Sequence, residues 1–447
     1  MTPTPTPPHS TVPAARTPLR GLAMIGAPSA GGLETRIDTL LDLAREGSMP
    51  PAAAPDPADL GAPERLAIDY GDQKELIGRL EKARQGLADD QRATWEPLEA
   101  QGVFRGSGPA AGKLAFLFTG QGSQYVNMGR DLADAEPVVR AVLAEADAVL
   151  EPLLDRSLTS YVFVDGDRAA VKAAGQDLKQ TAITQPAVLT LDVALGRLLG
   201  EFGIVPDLVM GHSLGEYGAL VSAGVLTFAE AVRAAAARGR EMSRVSVGDN
   251  GAMAAVMAPV DVVEEVLKGI EGYVVPANLN SRGQCVIGGD TPAVERAIEA
   301  FEERDVQAVR LPVSHAFHTK IVAPAADGLG TVLDGLDVQA PRRQIVANVT
   351  ADFYPDDPKE IRGLLCRQIA SPVRWVEGLE KAYAAGARAF VEVGPKRALK
   401  GFVDDVLGGR ADVISLYTNQ TRPREIATFN QALCGLYAAG YSSRRVS

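Results

Sequence analysis

The stretch Asp207-Leu-Val-Met-Gly-His-Ser-Leu-Gly-Glu216 constrains this chain more than any other. Its run 208–210 is continuously apolar, which marks a strand buried on both faces of a parallel sheet. The run stops at Gly211, and residues 216–223 have a helical pattern. A strand that feeds a helix through Gly-x-Ser-x-Gly makes a nucleophile elbow, in which the glycines permit a sharp turn and keep side chains from crowding the serine. The start of the next helix supplies N–H groups and a positive dipole end, which stabilise an oxyanion on an attacked carbonyl. Ser213 is therefore the candidate nucleophile. A plain structural turn is the competing reading of so short a motif.

The rest of the chain fits an α/β fold. Residues 114–118 form a second apolar strand that runs into Thr119-Gly-Gln-Gly-Ser-Gln124. Helices are expected at about 131–154 and 185–200, and strands at 345–348 and 389–393. Strands alternating with helices imply a mainly parallel sheet. Between 251 and 313 that rhythm breaks. Strands at 252–257, 273–279, 284–288 and 306–312 and helices at 260–267 and 293–303 give the order β-α-β-β-α-β. That is the ferredoxin-like split unit, here inserted into the α/β domain, and a cleft between the two is where a ligand belongs. Ahead of them, strands at 22–26 and 65–70 and helices at 34–45 and 73–88 make a small α+β unit. Residues 1–16 are Thr/Pro-rich and read as a disordered tail.

A serine nucleophile needs a base, and the chain has four histidines. His9 lies in the tail. The side chain of His212 points away from that of its neighbour. His315 and His318, in Ser-His-Ala-Phe-His-Thr319, follow the inserted unit where the chain re-enters the main domain. Their spacing of three is not supported by a nearby Cys or carboxylate, so no metal is expected. Arg238 follows four alanines in a helix. A buried guanidinium needs an anionic partner and matches a carboxylate bidentately; an ordinary surface arginine is the alternative. Cys285, Cys366 and Cys434 form no C-x-x-C pair and read as buried thiols. The net charge of −11 argues against a nucleic-acid partner. No unbroken apolar run reaches membrane-spanning length and no signal peptide is evident, which makes the cytoplasm the expected location.

Thr119-Gly-Gln-Gly-Ser-Gln124, Gly211-His-Ser-Leu-Gly-Glu216, His315-Ala-Phe-His318 and Val391-Glu-Val-Gly-Pro395 occur in that order. Together they resemble the malonyl-CoA:acyl-carrier-protein acyltransferases of fatty-acid and polyketide synthesis, over about residues 113–420. The resemblance implies an α/β-hydrolase-like large subdomain at 111–250 and 314–413, with the ferredoxin-like small subdomain at 251–313. Residues 17–110 resemble the ketosynthase-acyltransferase linker of a type I polyketide synthase, and 414–447 its post-acyltransferase linker. The implied roles are Ser213 as nucleophile, His318 as base, the backbone N–H groups of Gln121 and Leu214 as oxyanion hole, and the backbone carbonyl of Gln368 as orienter of the histidine. The resemblance gives Arg238 the substrate carboxylate. Gln185, His212, Asn278, Asn280, His315 and Phe317 are pocket candidates. It further implies malonyl-CoA as donor, a phosphopantetheinylated acyl carrier protein as acceptor, no bound cofactor, and the adjacent ketosynthase as a neighbour. His-Ala-Phe-His resembles the malonyl-selecting form of its motif, since Phe317 fills the space an α-methyl needs. Arg282, Lys396, Arg397 and Lys400 are candidates for a basic docking patch. Transfer of methylmalonyl or a starter acyl group, a serine esterase, and a non-catalytic docking segment are the alternatives.

Overall fold

Leu33, Ile37, Leu41 and Ala44 recur at helical spacing, and all four are buried along the helix Ala30–Arg45. Ser29 caps this helix by accepting from the Gly32 N–H. Asp72 does the same for Gln73–Leu87 through the Glu75 N–H. Both helices cover an antiparallel sheet of β1 (Gly21–Ala27), β2 (Glu64–Tyr70) and β3 (Val103–Ser107), in the order β1-β2-β3. Ile25, Leu66, Ile68, Leu76, Leu80 and Trp95 join the helix residues in one core.

The computed structural model describes residues 16–89, 91–245, 248–421 and 425–442. The three-stranded sheet belongs to one compact unit, residues 1–110 with 197–205 and 433–447; the other comprises 111–196 and 206–432. Apart from Arg16, the expected tail lies outside the described residues.

The larger unit holds two sheets. In chain order its strands are β4 (Lys113–Phe118), β5 (Leu208–Gly211), β6 (Ala252–Val256), β7 (Val274–Ser281), β8 (Gln284–Gly289), β9 (Ala308–Arg310), β10 (Gln344–Val346), β11 (Ala387–Val393) and β12 (Ile414–Tyr417). The first sheet runs β10-β5-β4-β11-β12 and every pairing is parallel. Its central strands are buried almost throughout, as covering helices on both faces require. The second sheet is antiparallel, in the order β7-β8-β6-β9. Val263, Val266, Val294, Ala297 and Phe301 on the helices Val260–Leu267 and Thr291–Glu302 pack into its core.

The register of the parallel sheet decides what meets at its carboxyl edge. Phe118 lies beside Gly211 and Val346 beside Met210. The segments that follow β4, β5 and β10 therefore emerge side by side, where open α/β sheets place their ligands.

Several expectations need correction. The helix expected at 131–154 is two helices, Arg130–Ala135 and Pro137–Leu150, because Pro137 starts the second at its first position. The strand expected at 306–312 pairs only over Ala308–Arg310. In the closing segment, Ile414–Tyr417 form β12, which pairs in parallel with β11, and Glu425–Ala438 form a helix. One helix among the described residues, Thr181–Glu201, is long and apolar enough to cross a membrane, and 83% of its apolar window is buried inside the protein. Cys285 and Cys434 are buried, whereas Cys366 is half-buried.

Candidate active site

β5 ends at Gly211 and the helix Gly215–Ser222 begins four residues later. The turn is taken by the serine itself: Ser213 has φ 53°, in the left-handed region. The glycines serve another purpose. A Cβ on Gly211 would lie 1.9 Å from the Gly215 carbonyl carbon, and one on Gly215 would lie 2.2 Å from the Phe118 carbonyl oxygen. They are there because strand, helix and the end of β4 touch backbone to backbone. Leu214 is the N-cap of the helix, so its N–H belongs to the first-turn donors that have no acceptor within a helix.

Ser213 Oγ lies 2.6 Å from His318 Nε2. On the far side of the ring, Nδ1 lies 3.1 Å from the Gln368 carbonyl oxygen and 3.0 Å from that of Ser371. Two carbonyls can only accept, so Nδ1 carries the proton and Nε2 presents a lone pair to the serine hydroxyl. Burial, with help from Arg238 and His212, holds the His318 imidazole down at about 3, against the two carbonyls that favour its charged form. The ring is thus a neutral acceptor at any ordinary pH. His318 also has a positive φ, 61°, so both members of the pair sit in backbone conformations that cost energy and are held by their surroundings.

Arg238 comes from the helix Phe228–Arg244, which Thr227 and Glu230 close with a reciprocal capping box. It is 1% exposed. Its Nη2 donates to Ser213 Oγ at 3.3 Å and to Gln368 Oε1 at 3.1 Å. Burial lowers its pKa, opposed by Tyr217 and Glu216.

Four further residues, Asn348, Glu216, Tyr354 and Ser371, hold this arrangement, and the sequence reading gave none of them a role. Asn348, just past β10, accepts from the Ser213 N–H at 2.7 Å and donates to the Gly211 carbonyl at 2.8 Å. Glu216, last residue of the motif, accepts from the Asn348 N–H at 2.8 Å, from the Tyr354 hydroxyl at 3.1 Å and from Gln368 Nε2. Gln368 Nε2 also donates to the Ser213 carbonyl at 2.7 Å. Burial pushes Glu216 up to about 7, while its three donors and Arg238 pull the other way. Ser371 contributes the second carbonyl at His318. A buried asparagine at the carboxyl end of a strand was the one signal for Asn348.

The pocket candidates come from several elements. His212 turns away from Ser213, its Nε2 2.8 Å from Asn280 Oδ1 on β7, and packs edge-on against Trp375. Gln185 donates to Gln121 Oε1 at 3.3 Å, which brings it to the loop after β4. Asn278 lies where β7 bridges to Val373. His315 has Val245 O and Ser314 Oγ on its two ring nitrogens, and its ring lies tilted by 34° to that of buried Phe317, 6.1 Å away. Of the basic candidates, Arg282 pairs with Glu380 and Lys400 with Asp404 at 2.6 Å. Lys396 Nζ donates to the Gly122 carbonyl at 2.9 Å, and Arg397 lies over the Tyr417 ring.

With this geometry in view, the comparisons with known proteins agree on one family. The acyl transferase domain model matches residues 115–428. The malonyl CoA-acyl carrier protein transacylase of Bacillus subtilis (strain 168) is 39% identical over 299 residues, 66% of this chain and 90% of the relative. The spectinabilin polyketide synthase system protein NorB of Streptomyces orinoci is 36% identical over 346 residues, and the chain spans 15% of its length. Among solved structures, a malonyl-transacylase in complex with a type II polyketide synthase acyl-carrier protein, PlMCAT:AntF, is similar with a TM-score of 0.63 and 35% identity, covering 71% of this chain and 99% of that one.

Proposed function

This chain belongs to the acyl transferase domain family, and from that premise we propose that it moves a malonyl group from coenzyme A to the phosphopantetheine thiol of an acyl carrier protein through an acyl-Ser213 intermediate. One observation carries the reading: Ser213 Oγ lies 2.6 Å from a histidine nitrogen whose opposite nitrogen is fixed by two carbonyls. That is a nucleophile, a base and an orienter in hydrogen-bonded series.

In the first half-reaction His318 Nε2 takes the Ser213 proton while Oγ attacks the thioester carbonyl. The oxyanion rests on the N–H groups of Gln121 and Leu214. As the tetrahedral species collapses, the C–S bond breaks and His318 returns its proton to the departing coenzyme A thiolate. In the second half the carrier's thiol gives its proton to the same nitrogen and attacks the acyl-serine, and Ser213 leaves with that proton. The carboxylate orienter of a serine-protease triad is replaced by neutral carbonyls. The two fixed carbonyls still select the tautomer and stabilise the transient imidazolium. Arg238 binds the malonyl carboxylate, which supports a carboxylated acyl group over a simple one. Phe317 narrows the choice toward malonyl. A methyl group is worth only about 1–3 kcal/mol, so the selection is a ratio and not a bar.

On the same premise, the β7-β8-β6-β9 sheet with its two helices is a ferredoxin-like small subdomain in an α/β-hydrolase-like unit. Residues 17–110 and 414–447 are linker segments of a synthase, next to a ketosynthase; co-elution of the chain with an isolated ketosynthase in gel filtration is expected, and independent elution at high concentration would refute that neighbour.

Intact-mass spectrometry tests the central claim. Malonyl-CoA should add about 86 Da, localised to Ser213, as acyl-enzyme chemistry requires. The adduct should leave when phosphopantetheinylated carrier protein is added, but not when the unmodified carrier is. Methylmalonyl-CoA should give a minor adduct, raised about tenfold relative to malonyl in Phe317→Ser. Rapid hydrolysis of simple esters without transfer to a thiol would make the chain an esterase instead.

A further inference from the structure

Arg238 is fully enclosed, yet among the described residues it hydrogen-bonds to no carboxylate. Its Nε is buried with no hydrogen-bond partner. Both of its bonds come from one nitrogen, Nη2, and go to neutral oxygens: Ser213 Oγ and Gln368 Oε1. A buried cation whose hydrogen bonds go only to neutral oxygens, with Nε unpaired, is half-satisfied, although the Glu216 carboxyl nearby favours its charge.

The orientation of the Gln368 amide is not free to choose. Its Nε2 faces the Ser213 carbonyl, which only accepts, and a Glu216 carboxyl oxygen, while its other end faces Arg238, which only donates. The NH₂ end must lie there, and Oε1 must face Arg238. Glu216 is itself fixed from behind by the Asn348 N–H and the Tyr354 hydroxyl. Gln368 is 1% exposed and closes the helix Pro358–Gln368, so its side chain has little room to swing away.

We infer that the Gln368 side chain is a positioning residue for acyl-group selection: its amide oxygen holds the Arg238 guanidinium in place, as a weak and replaceable partner, until the carboxylate of the acyl group takes that place. This rests on the reading of Arg238 as the carboxylate site. It is separate from the role of the Gln368 backbone carbonyl at His318. A neutral acceptor suits the task because the guanidinium–amide bond carries charge on one side only, whereas a malonyl carboxylate brings the opposite charge and matches the guanidinium fork bidentately. An incoming malonyl carboxylate therefore wins the guanidinium, and a thioester that lacks one leaves Arg238 tied to Gln368. A glutamate at 368 would be a permanent rival for the substrate.

The test compares loading kinetics with malonyl-CoA and with acetyl-CoA, which lacks the second carboxylate, in the whole chain and in three variants. Gln368→Ala should raise KM for malonyl-CoA about tenfold, with a smaller change in kcat, and lower the malonyl-to-acetyl ratio of kcat/KM by a similar factor. Gln368→Glu keeps the side-chain volume but loses the Nε2 bonds to the Ser213 carbonyl and Glu216; because the ratio is taken within one preparation, a reduced folded fraction in either variant does not alter it, and it should fall further here. Proportional loss on both thioesters, which a merely structural role gives, overturns the inference, as does a ratio that stays at the wild-type value in both variants. Arg238→Ala separates the two levels. If it collapses the ratio while the Gln368 variants keep theirs, only the role of Gln368 is wrong. If Arg238→Ala keeps the ratio, the carboxylate reading itself is wrong.

Discussion

Ser213→Ala is expected to abolish the acyl-enzyme and to slow transfer to the carrier protein by about 10⁴-fold or more, the scale on which removal of a nucleophile that acts in concert with its base is felt. The change removes only the atom that lies 2.6 Å from His318 Nε2. The backbone bonds of Ser213 to Asn348 and Gln368 do not use the hydroxyl, so the fold should survive and circular dichroism should be unchanged. His318→Ala should cost a comparable factor, and the double variant little more than either, because the two act as one device. Persistence of a malonyl adduct in Ser213→Ala would move the nucleophile elsewhere.

Gly211→Ala should have the largest effect on stability. The new Cβ would stand 1.9 Å from the Gly215 carbonyl carbon, 2.0 Å from its oxygen and 2.3 Å from the Glu216 nitrogen. All three are backbone atoms at the start of a helix that packs on the sheet. No rotamer change relieves that overlap, so the cost belongs at the upper end for overpacking, about 3 kcal/mol or more. Urea titration should show a lower midpoint or an insoluble protein. Gly401→Ala is the control. It lies in the helix Ala398–Leu407, where the added carbon would meet nothing within 4 Å beyond the helix's own adjacent backbone, and should stabilise by roughly 0.5–1 kcal/mol. Equal midpoints for the two variants would mean that strand and helix at the elbow are not in backbone contact.

The elements that chemistry singles out are legible in the sequence, and those that only geometry singles out are not. Ser213 is flanked by glycines at a strand-to-helix change, and His318 follows the break in the α/β rhythm; each shows locally. The four consecutive alanines before Arg238 span about a full helical turn, and Ala234 to Ala237 are all buried, so the helix is enclosed on every side there. Asn348 and Glu216 meet because β10, only three residues long, pairs beside β5 in one register. No local pattern encodes that pairing. The Ser371 carbonyl at His318 is backbone, which every residue carries. The same limit applies to β12, whose four residues gain their identity from β11. The two functions of Gln368 differ likewise: its carbonyl came with the family resemblance, while its side chain acquires meaning only once Arg238 and Glu216 are seen on either side of it.

The left-handed backbone of Ser213 also restricts which amino acid can occupy the elbow at all. Threonine offers the same primary chemistry, a hydroxyl beside a base, but its branched Cβ is poorly tolerated at positive φ, where even unbranched L-residues are disfavoured by about 1–2 kcal/mol. Cysteine fits the backbone but would bind its cargo as a thioester, the same bond type that coenzyme A and the carrier already use. An oxygen ester is a different bond from either, so the parked group is chemically distinct from donor and acceptor. The shape of the turn thus discards one alternative nucleophile and leaves the choice between the remaining two to the chemistry of the bond.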